Sequence, residues 1–392
     1  MFSRLLLFGF LAVLCFQQAC SQNTALSGQI ILDKNWRPRL YLVRPAFYKQ
    51  LISAYEGAVI DSADIAPDGS FAFRNLSGIR ESGIYLLLIQ PLESRFPTAF
   101  ADSLPAENYI GLVLSPGTHT RLKAEARALA RSYQLLEGDA ESRLLAQLRD
   151  MREPLYREAE LAAMAPEPGH SEELPEQSPA QQAADRALES FLDTTQAVWP
   201  SFAALRLRAP QNEFRDQPEF FLRVRDRLRR QVPGNAWVEQ LDFFLQPARL
   251  PLLRGEKMPD FALPAPNGDT LRLNQVRADL LLVDFWASWC APCRRENRET
   301  IRPLYERYHE RGFEVLGVSI DRSRAAWLAA IEKDGAHWLQ VSDLLGDASP
   351  VRQSLRFEFI PNNYLLDREG RLLARNLHRE ELQVFVDNYF SR

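Results

Sequence analysis

The chain has 392 residues, which is enough for two or three domains. Hydrophobic residues make up 46% of it and charged residues 25%, shares typical of a globular protein. A formal net charge of -4 argues against the basic surface that nucleic-acid binding needs. The chain has only four cysteines, which are Cys15, Cys20, Cys290 and Cys293.

Residues 1–20 have the pattern of a targeting segment. Arg4 precedes an apolar core at residues 5–16, which is too short to span a bilayer and is typical of a cleaved signal peptide. A small residue before Cys20 resembles a bacterial lipobox, although Gln17 departs from the aliphatic residue usual there. The resemblance implies that Cys20 is lipidated at the mature N-terminus and anchors the protein to a membrane in the periplasm of a Gram-negative bacterium. The alternative is ordinary cleavage nearby, which also predicts an exported protein.

Residues 25–125 are predicted to form an all-β domain. Short apolar runs rich in β-forming residues are separated by turn signals at Pro67-Asp68-Gly69 and Ser115-Pro116-Gly117. Several short strands of this kind indicate a β-sandwich. Residues 68–73 resemble part of an all-β domain of unknown function that is found in exported bacterial proteins. We see no catalytic constellation here, and we interpret the domain as a spacer or docking module.

Residues 126–250 are predicted to be α-helical, because apolar residues recur at helical spacing, including one stripe from Leu188 to Phe202. Prolines among polar residues predict a flexible loop at 164–180. A run of arginines at 223–230 fits either contact with an anionic partner or a solvated helix face. Client binding and dimerisation both remain open as roles for this region.

The specific signals lie in residues 254–392. An apolar strand at residues 280–286, interrupted only by Asp284, leads into a turn with Cys290 and Cys293, and a helix follows. Strand, Cys-x-x-Cys and helix together are typical of a redox dithiol. The alternatives are a structural disulfide or half a zinc site, but zinc wants four ligands and the sequence has no second Cys-x-x-Cys or His-x-x-His. We predict a redox-active Cys290–Cys293 disulfide, with no metal and no other cofactor.

Three stretches resemble a known family: Pro259-Asp260-Phe261, residues 285–294 around the dithiol, and Ile360-Pro361 with residues 365–370. They resemble the thioredoxin superfamily, and most of all its exported, membrane-linked thiol-disulfide oxidoreductases of the TlpA and ResA type. The resemblance implies a thioredoxin-like fold for residues 254–392. The predicted chain is therefore multidomain, with an N-terminal β-sandwich, a central α-helical region and a C-terminal α/β thioredoxin-like domain.

Four residues are candidates for the chemistry. Cys290 begins a helix, where free N–H groups and the positive dipole end favour a thiolate, so we predict that it attacks a substrate disulfide. Cys293, about one turn deeper, would resolve the mixed disulfide. Asp284 lies in a buried strand, where desolvation raises the pKa of a carboxyl and suits it to accept the Cys293 proton; a structural, hydrogen-bonded aspartate is the alternative. Glu296 matches a glutamate of the ResA group, which implies a catalytic role; a helix-surface glutamate is the alternative.

A second set is predicted to contact the substrate. The resemblance implies that Pro361 is a cis-proline facing the dithiol and that Ile360 offers its backbone to an extended substrate segment. Trp289 would form a wall of the site, and Pro292 would fix the geometry of the turn. Asn362-Asn363 replace the threonines common after this proline, and we expect altered contacts in the groove.

These residues favour a thiol-disulfide oxidoreductase of the bacterial cell envelope that reduces protein disulfides and receives electrons from a membrane-bound thiol donor. The resemblance implies a role like cytochrome c maturation, with general redox homeostasis as the wider alternative. A thiol peroxidase related to the peroxiredoxins is a second hypothesis, although it wants a threonine where this chain has Ala287. A third is a non-catalytic envelope binding protein that works through its β and helical regions.

Overall fold

The computed structural model describes residues 25–51, 58–73, 76–94, 99, 107–164, 178–210 and 214–391. The signal segment with Cys20 lies outside these residues, and so does most of the loop predicted at 164–180. The chain divides into two compact units, each described here by itself: residues up to 212 with 230–240, and residues 213–229 with 241–392. The predicted three-part division remains a prediction.

The described residues at the start of the first unit form eight strands and a one-turn helix. In chain order they are β1 (Ala25–Ile31), β2 (Trp36–Arg44), β3 (Ala58–Asp64), β4 (Ser70–Phe73), β5 (Gly83–Pro91), β6 (Tyr109–Leu114), β7 (His119–Glu125), α1 (Leu129–Ser132) and β8 (Gln134–Glu137). They form two four-stranded sheets, ordered β4-β1-β7-β8 and β3-β2-β5-β6. Side chains of both sheets, such as Leu122 and Leu42, are buried in one shared core. Strand β7 illustrates how one face of a sheet enters this core. Its residues alternate between exposed and buried, because successive side chains of a strand point to opposite faces.

Four longer helices complete most of this unit: α2 (Ala140–Met151), α3 (Glu153–Met164), α4 (Pro179–Thr194) and α5 (Val198–Arg208). The single stripe predicted from Leu188 to Phe202 was wrong as one helix, since it is divided between α4 and α5. Thr195 is extended, with φ -75 and ψ 146. The Glu141 carboxylate accepts the first two N–H groups of α5, at 2.9 and 3.3 Å, and so caps a separate helix.

Helices α6 (Pro218–Gln231) and α7 (Ala236–Phe244) each contribute residues to both units. Within the second unit, the Phe214 ring packs on Phe221 of α6 with the ring centroids 4.8 Å apart. Arg225 and Arg229 of the arginine run both bind Asp242. These pairs within the unit favour the alternative of a solvated helix face over contact with an anionic partner.

The remaining elements of the second unit include the strand predicted at residues 280–286 and the helix predicted after the dithiol. They are β9 (Ala262–Pro264), β10 (Thr270–Arg272), β11 (Leu280–Trp286), α8 (Ala291–Glu296), α9 (Arg302–Tyr308), β12 (Phe313–Ser319), α10 (Arg324–Asp334), β13 (Leu339–Ser342), α11 (Pro350–Leu355), β14 (Asn362–Asp367), β15 (Leu372–Arg375) and α12 (Arg379–Phe390). The sheet order is β13-β12-β11-β14-β15. Strand β11 runs parallel to β12 and antiparallel to β14. This is a thioredoxin-like fold.

Strand β11 is the central strand, and all seven of its residues are buried. On one face Val283 and Phe285 pack into the core that includes residues of the β9–β10 hairpin and α11. On the other face Leu280 and Leu282 pack against residues of α9 and α12. Burial on both faces explains the continuous apolar run in the sequence. Asp284 interrupts the second face, and the strand ends at the dithiol.

Candidate active site

The dithiol lies where β11 ends and α8 begins. Cys290 and Cys293 form a disulfide with their Cα atoms 5.3 Å apart. Cys290 is the N-cap residue of α8, and its Sγ accepts a hydrogen bond from the Cys293 N–H at 3.2 Å. Only 5% of Cys290 and 1% of Cys293 is exposed. The attacking and resolving positions predicted from the sequence are therefore the outer and inner sulfurs of one pair.

The loop before Cys290 is fixed by a buried aspartate that the sequence pattern did not single out. Asp321 follows β12, the parallel neighbour of β11, and accepts hydrogen bonds from the Ser288 N–H at 2.9 Å and Oγ at 2.6 Å. The Ser319 hydroxyl donates to the same carboxylate at 2.8 Å. The position of Asp321 in the sequence could have indicated this contact, because it follows a strand and the ends of parallel strands meet at one edge of a sheet.

A second buried aspartate holds the start of α8. Arg294 binds Asp334, the last residue of α10, through two nitrogens, and it donates a third hydrogen bond to the Ser288 carbonyl at 3.0 Å. Arg298 donates to the same aspartate at 2.9 Å. Asp334 is fully buried. These charge-assisted bonds lock the helix that carries the dithiol onto the fold.

The helix after the dithiol changes form at residues 297–301. A π turn at Asn297–Ile301 lies just before Pro303, and α9 follows it. Proline supplies no N–H to the preceding turn, and π turns often occur at functional sites. The buried side of this helix carries Cys293, Glu296 and Asn297 in succession. Glu296 is therefore no surface glutamate.

Asp284 lies on the same face of β11 as Trp286, and Trp286 packs in one cluster with both cysteines. Only 2% of Asp284 is exposed, and its Oδ1 has no hydrogen-bond partner among the described residues. Burial, and secondly the charge of Glu296, raises the pKa of Asp284 well above its ordinary value. A proton acceptor in the resolving step and a structural aspartate both remain predictions for Asp284, and the unpaired oxygen and raised pKa suit the first.

Glu296 is held by a loop that precedes α12. Its carboxylate contacts His378 Nδ1 at 3.0 and 3.2 Å and accepts the Arg379 N–H at 3.2 Å. The same loop is bound by Asn363, whose amide donates to the Leu377 carbonyl at 2.6 Å and accepts from its N–H at 3.1 Å. Asn363 faces Asp284 across the β11–β14 pair. His378 and this loop were missed at the level of the sequence, where no role was predicted between residue 370 and the closing helix.

The predicted substrate groove is bordered as follows. The Ile360–Pro361 peptide bond is cis, and Ile360 packs against the cluster that contains both cysteines. Trp289 is 65% exposed and Phe359 is 70% exposed, whereas Pro292 lies in the first turn of α8. The Asn362 and Asn363 side chains bind the loop at residues 376–377, so these bonds tie strand to loop and do not line the groove.

Comparison with known proteins gives matches in this second unit. Residues 254–375 match the AhpC/TSA family. The thiol-disulfide oxidoreductase ResA of Geobacillus kaustophilus is 26% identical over 137 residues, which are 34% of this chain and 76% of that protein. ResA of Bacillus subtilis is 24% identical over 30% of this chain and 64% of that protein. A solved thiol-disulfide oxidoreductase from Bacteroides fragilis is 35% identical, with a TM-score of 0.32, covering 34% of this chain and 99% of that one.

Two other kinds of feature are absent from the described residues. No described helix has the length and apolar character needed to cross a membrane. No group of three or more histidine, cysteine, aspartate or glutamate side chains within the described ranges is arranged to hold a metal ion. The Cys290–Cys293 disulfide lies within the described residues.

Proposed function

We propose that the protein reduces disulfides in other proteins through Cys290 and Cys293. The premise is that the C-terminal part of this chain is a thioredoxin-like thiol-disulfide oxidoreductase domain of the AhpC/TSA family. The observation that carries the proposal is the paired arrangement of the sulfurs. Cys290 caps a helix and receives the Cys293 N–H, while Cys293 is buried behind it. This arrangement supports a thiolate at the outer sulfur and a protected thiol at the inner one.

The chemistry begins with the reduced pair. The Cys290 thiolate attacks one sulfur of a substrate disulfide, and the other substrate sulfur leaves as a thiolate that takes a proton from solvent. Cys293 then gives its proton to Asp284 and attacks Cys290, which releases the second substrate sulfur; that thiolate recovers the proton. Starting from the Cys290 thiolate, the pair loses two electrons and the Cys293 proton, and the substrate gains two electrons, that proton and one from solvent as it becomes two thiols. A thiol donor restores the dithiol by the reverse exchange.

Substrate contact is proposed for four residues. Exposed Trp289 offers a ring beside the dithiol, and Pro292 shapes the turn between the sulfurs. Ile360 and the cis Pro361 lie next to the cysteine cluster and would present backbone to an extended segment. Glu296 is assigned a catalytic part with Asp284, because the charge of Glu296 contributes to the raised pKa of Asp284.

The setting of the reaction is also a proposal. We place the protein in the cell envelope of a Gram-negative bacterium, exported by residues 1–20 and anchored through a lipid on Cys20. A membrane-bound thiol is the donor, and disulfides of cytochrome c maturation or of general redox homeostasis are the substrates. The two sheets of the first unit share one core, which supports a β-sandwich that spaces or docks the redox domain.

A single-turnover assay tests the proposal. The purified, pre-reduced chain should reduce a disulfide-bonded test protein, C290S should not, and C293S should accumulate a mixed disulfide that an external thiol breaks. The double variant C290S/C293S is the matched control. Reduction that persists in C290S, or an absence of reduction by the wild-type chain, would contradict the proposal. Cysteine-dependent consumption of peroxide instead would favour the peroxidase.

The direction of electron flow has its own test. The equilibrium of the dithiol with a glutathione buffer gives the reduction potential, and each 30 mV corresponds to about 1.4 kcal/mol for a two-electron couple. A reductase should have a potential well on the reducing side of glutathione. A strongly oxidising value would overturn the reductive assignment while leaving the dithiol chemistry intact.

A further inference from the structure

The buried carboxyls behind the dithiol are connected to the surface by one histidine. His378 is about one-third exposed, whereas Glu296, which it contacts at 3.0 Å, is 5% exposed. Asp284 on β11 is 2% exposed, and the charge of Glu296 contributes to its raised pKa. His378 therefore joins the solvent-exposed surface to Glu296, which is electrostatically coupled to Asp284.

The loop that carries His378 is built with unusual backbone geometry. Asn376 and Arg379, on either side of His378, have φ values of 51 and 48, which residues other than glycine rarely adopt. The loop is held in this form by Asn363 on one side and by Glu296 on the other. Backbone strain of this kind persists only where surrounding contacts impose it, and it is concentrated at functional sites.

We propose that His378 is a positioning residue of the dithiol chemistry, which acts through its contact with Glu296 on the transfer of the Cys293 proton during resolution. The inference rests on the proposed function for its meaning, because it concerns the resolving step of that reaction. It adds a residue outside the matched segment of residues 254–375.

The sign follows from the charges. The negative charge of Glu296 raises the pKa of Asp284, in addition to the effect of burial. A protonated His378 beside Glu296 opposes that effect, so Asp284 ionises more readily and accepts the Cys293 proton at lower pH. Histidine side chains change charge between about pH 5 and 8. The benefit is therefore present at the acidic end of this range and is lost as the pH rises.

The other charged residues on the elements around Glu296 are paired elsewhere or exposed to solvent. In the π turn, Arg298 binds Asp334 and Glu299 is exposed. At the start of α12, the side chains of Arg379, Glu380 and Glu381 are all exposed, and solvent screens them. On β11 the charged residue is Asp284 itself. Glu296 is the charged group that acts on Asp284, and His378 is the charged side chain that contacts Glu296.

The test follows the resolving step alone. A thionitrobenzoate adduct is placed on Cys290 of the full chain, and the release of the chromophore by Cys293 is timed from about pH 5.5 to 8.5. We expect H378Q to be about three- to tenfold slower than wild type near pH 6, since one pKa unit is a tenfold change, and to match it near pH 8. The matched control is H309Q, because His309 also lies beside a glutamate, Glu314, at 3.6 Å in the same domain.

Several outcomes separate a positioning role from a structural one. An H378Q profile that superimposes on wild type, or that is lowered equally at every pH, would overturn the proposal, since the second result indicates only a structural role. Should H378Q fail to fold, E296Q tests the same point, because it must remove the same pH-dependent component. In an E296Q background H378Q must have no further effect. If the wild-type chain shows this profile yet reduces no protein disulfide, the proposed function fails and this inference stands.

Discussion

The two polar regions that flank the dithiol are equally buried and are bonded very differently. On one side Asp321 and Asp334 are 1% and 0% exposed and are surrounded by donors from serine and arginine side chains. On the other side Asp284 is 2% exposed, and one of its oxygens has no partner among the described residues. Nearby, both polar side-chain atoms of buried Asn297 lack described partners as well.

The difference shows two uses of a buried carboxyl. A carboxylate with all its donors in place holds structure, because removing any partner leaves a charge without compensation. A carboxyl without partners costs folding free energy and has a raised pKa, which suits it to exchange a proton. The dithiol therefore lies between a fixed region that orients it and a region that is tuned for proton transfer.

The largest expected effect comes from breaking the fixed region. Asp334→Ala leaves Arg294, which is 15% exposed, without its bidentate partner, and we expect a loss of about 3–5 kcal/mol in the free energy of unfolding. Urea unfolding measures it. Asp347→Ala is the control, because that carboxylate is 74% exposed in its pair with Arg352 and should contribute less than about 1 kcal/mol. Equal losses in the two variants would contradict the distinction.

The opposite result is expected from Asp284→Asn. Resolution by Cys293 should slow about 100-fold at neutral pH, because the proton acceptor is gone. Stability should not fall. The folded pKa of Asp284 is raised, so the wild-type carboxyl destabilises the fold increasingly as the pH rises above the unfolded value, and the amide removes that cost. Unfolding curves at about pH 5 and pH 8 check the sign; a variant that is less stable at both would show that Asp284 is structural.

The elements that carry the dithiol could be predicted from the sequence much better than the partners of the buried carboxyls. Strand β11, the helix start at Cys290 and the cis bond before Pro361 follow from local pattern and family resemblance, and they were confirmed. Asp284 could also be identified, because a carboxyl inside an apolar strand is anomalous by itself. A buried polar residue could thus be recognised from the sequence because it interrupted the apolar pattern of a strand.

The partners could not be predicted in the same way. His378 lies 82 residues from Glu296, in a loop whose residues carry no pattern of their own. Asp321 follows the end of a strand and Asp334 is the last residue of a helix, as many structural aspartates are. Only the tertiary fold brings these groups together, and cross-element contacts of this kind have no sequence period. The same limit explains why α6 was not associated with the redox domain, although Glu219 binds Arg375 there.

That pair gives the third prediction, which extends the comparison to a partly buried carboxylate. Burial raises the pKa of Glu219, but hydrogen bonds from Arg375 and from the Arg254 N–H outweigh it and lower the pKa to about 2. Glu219→Gln should cost about 1–2 kcal/mol of stability at pH 7. Because the folded pKa is depressed, the wild-type advantage should fade as the pH drops from about 4.5 towards 2. Glu358→Gln, which breaks an exposed pair with Arg215, is the matched control and should change stability by less than about 0.5 kcal/mol. A Glu219 variant whose deficit stays constant over this pH range would show that packing, and not the charge pair, attaches α6 to β15.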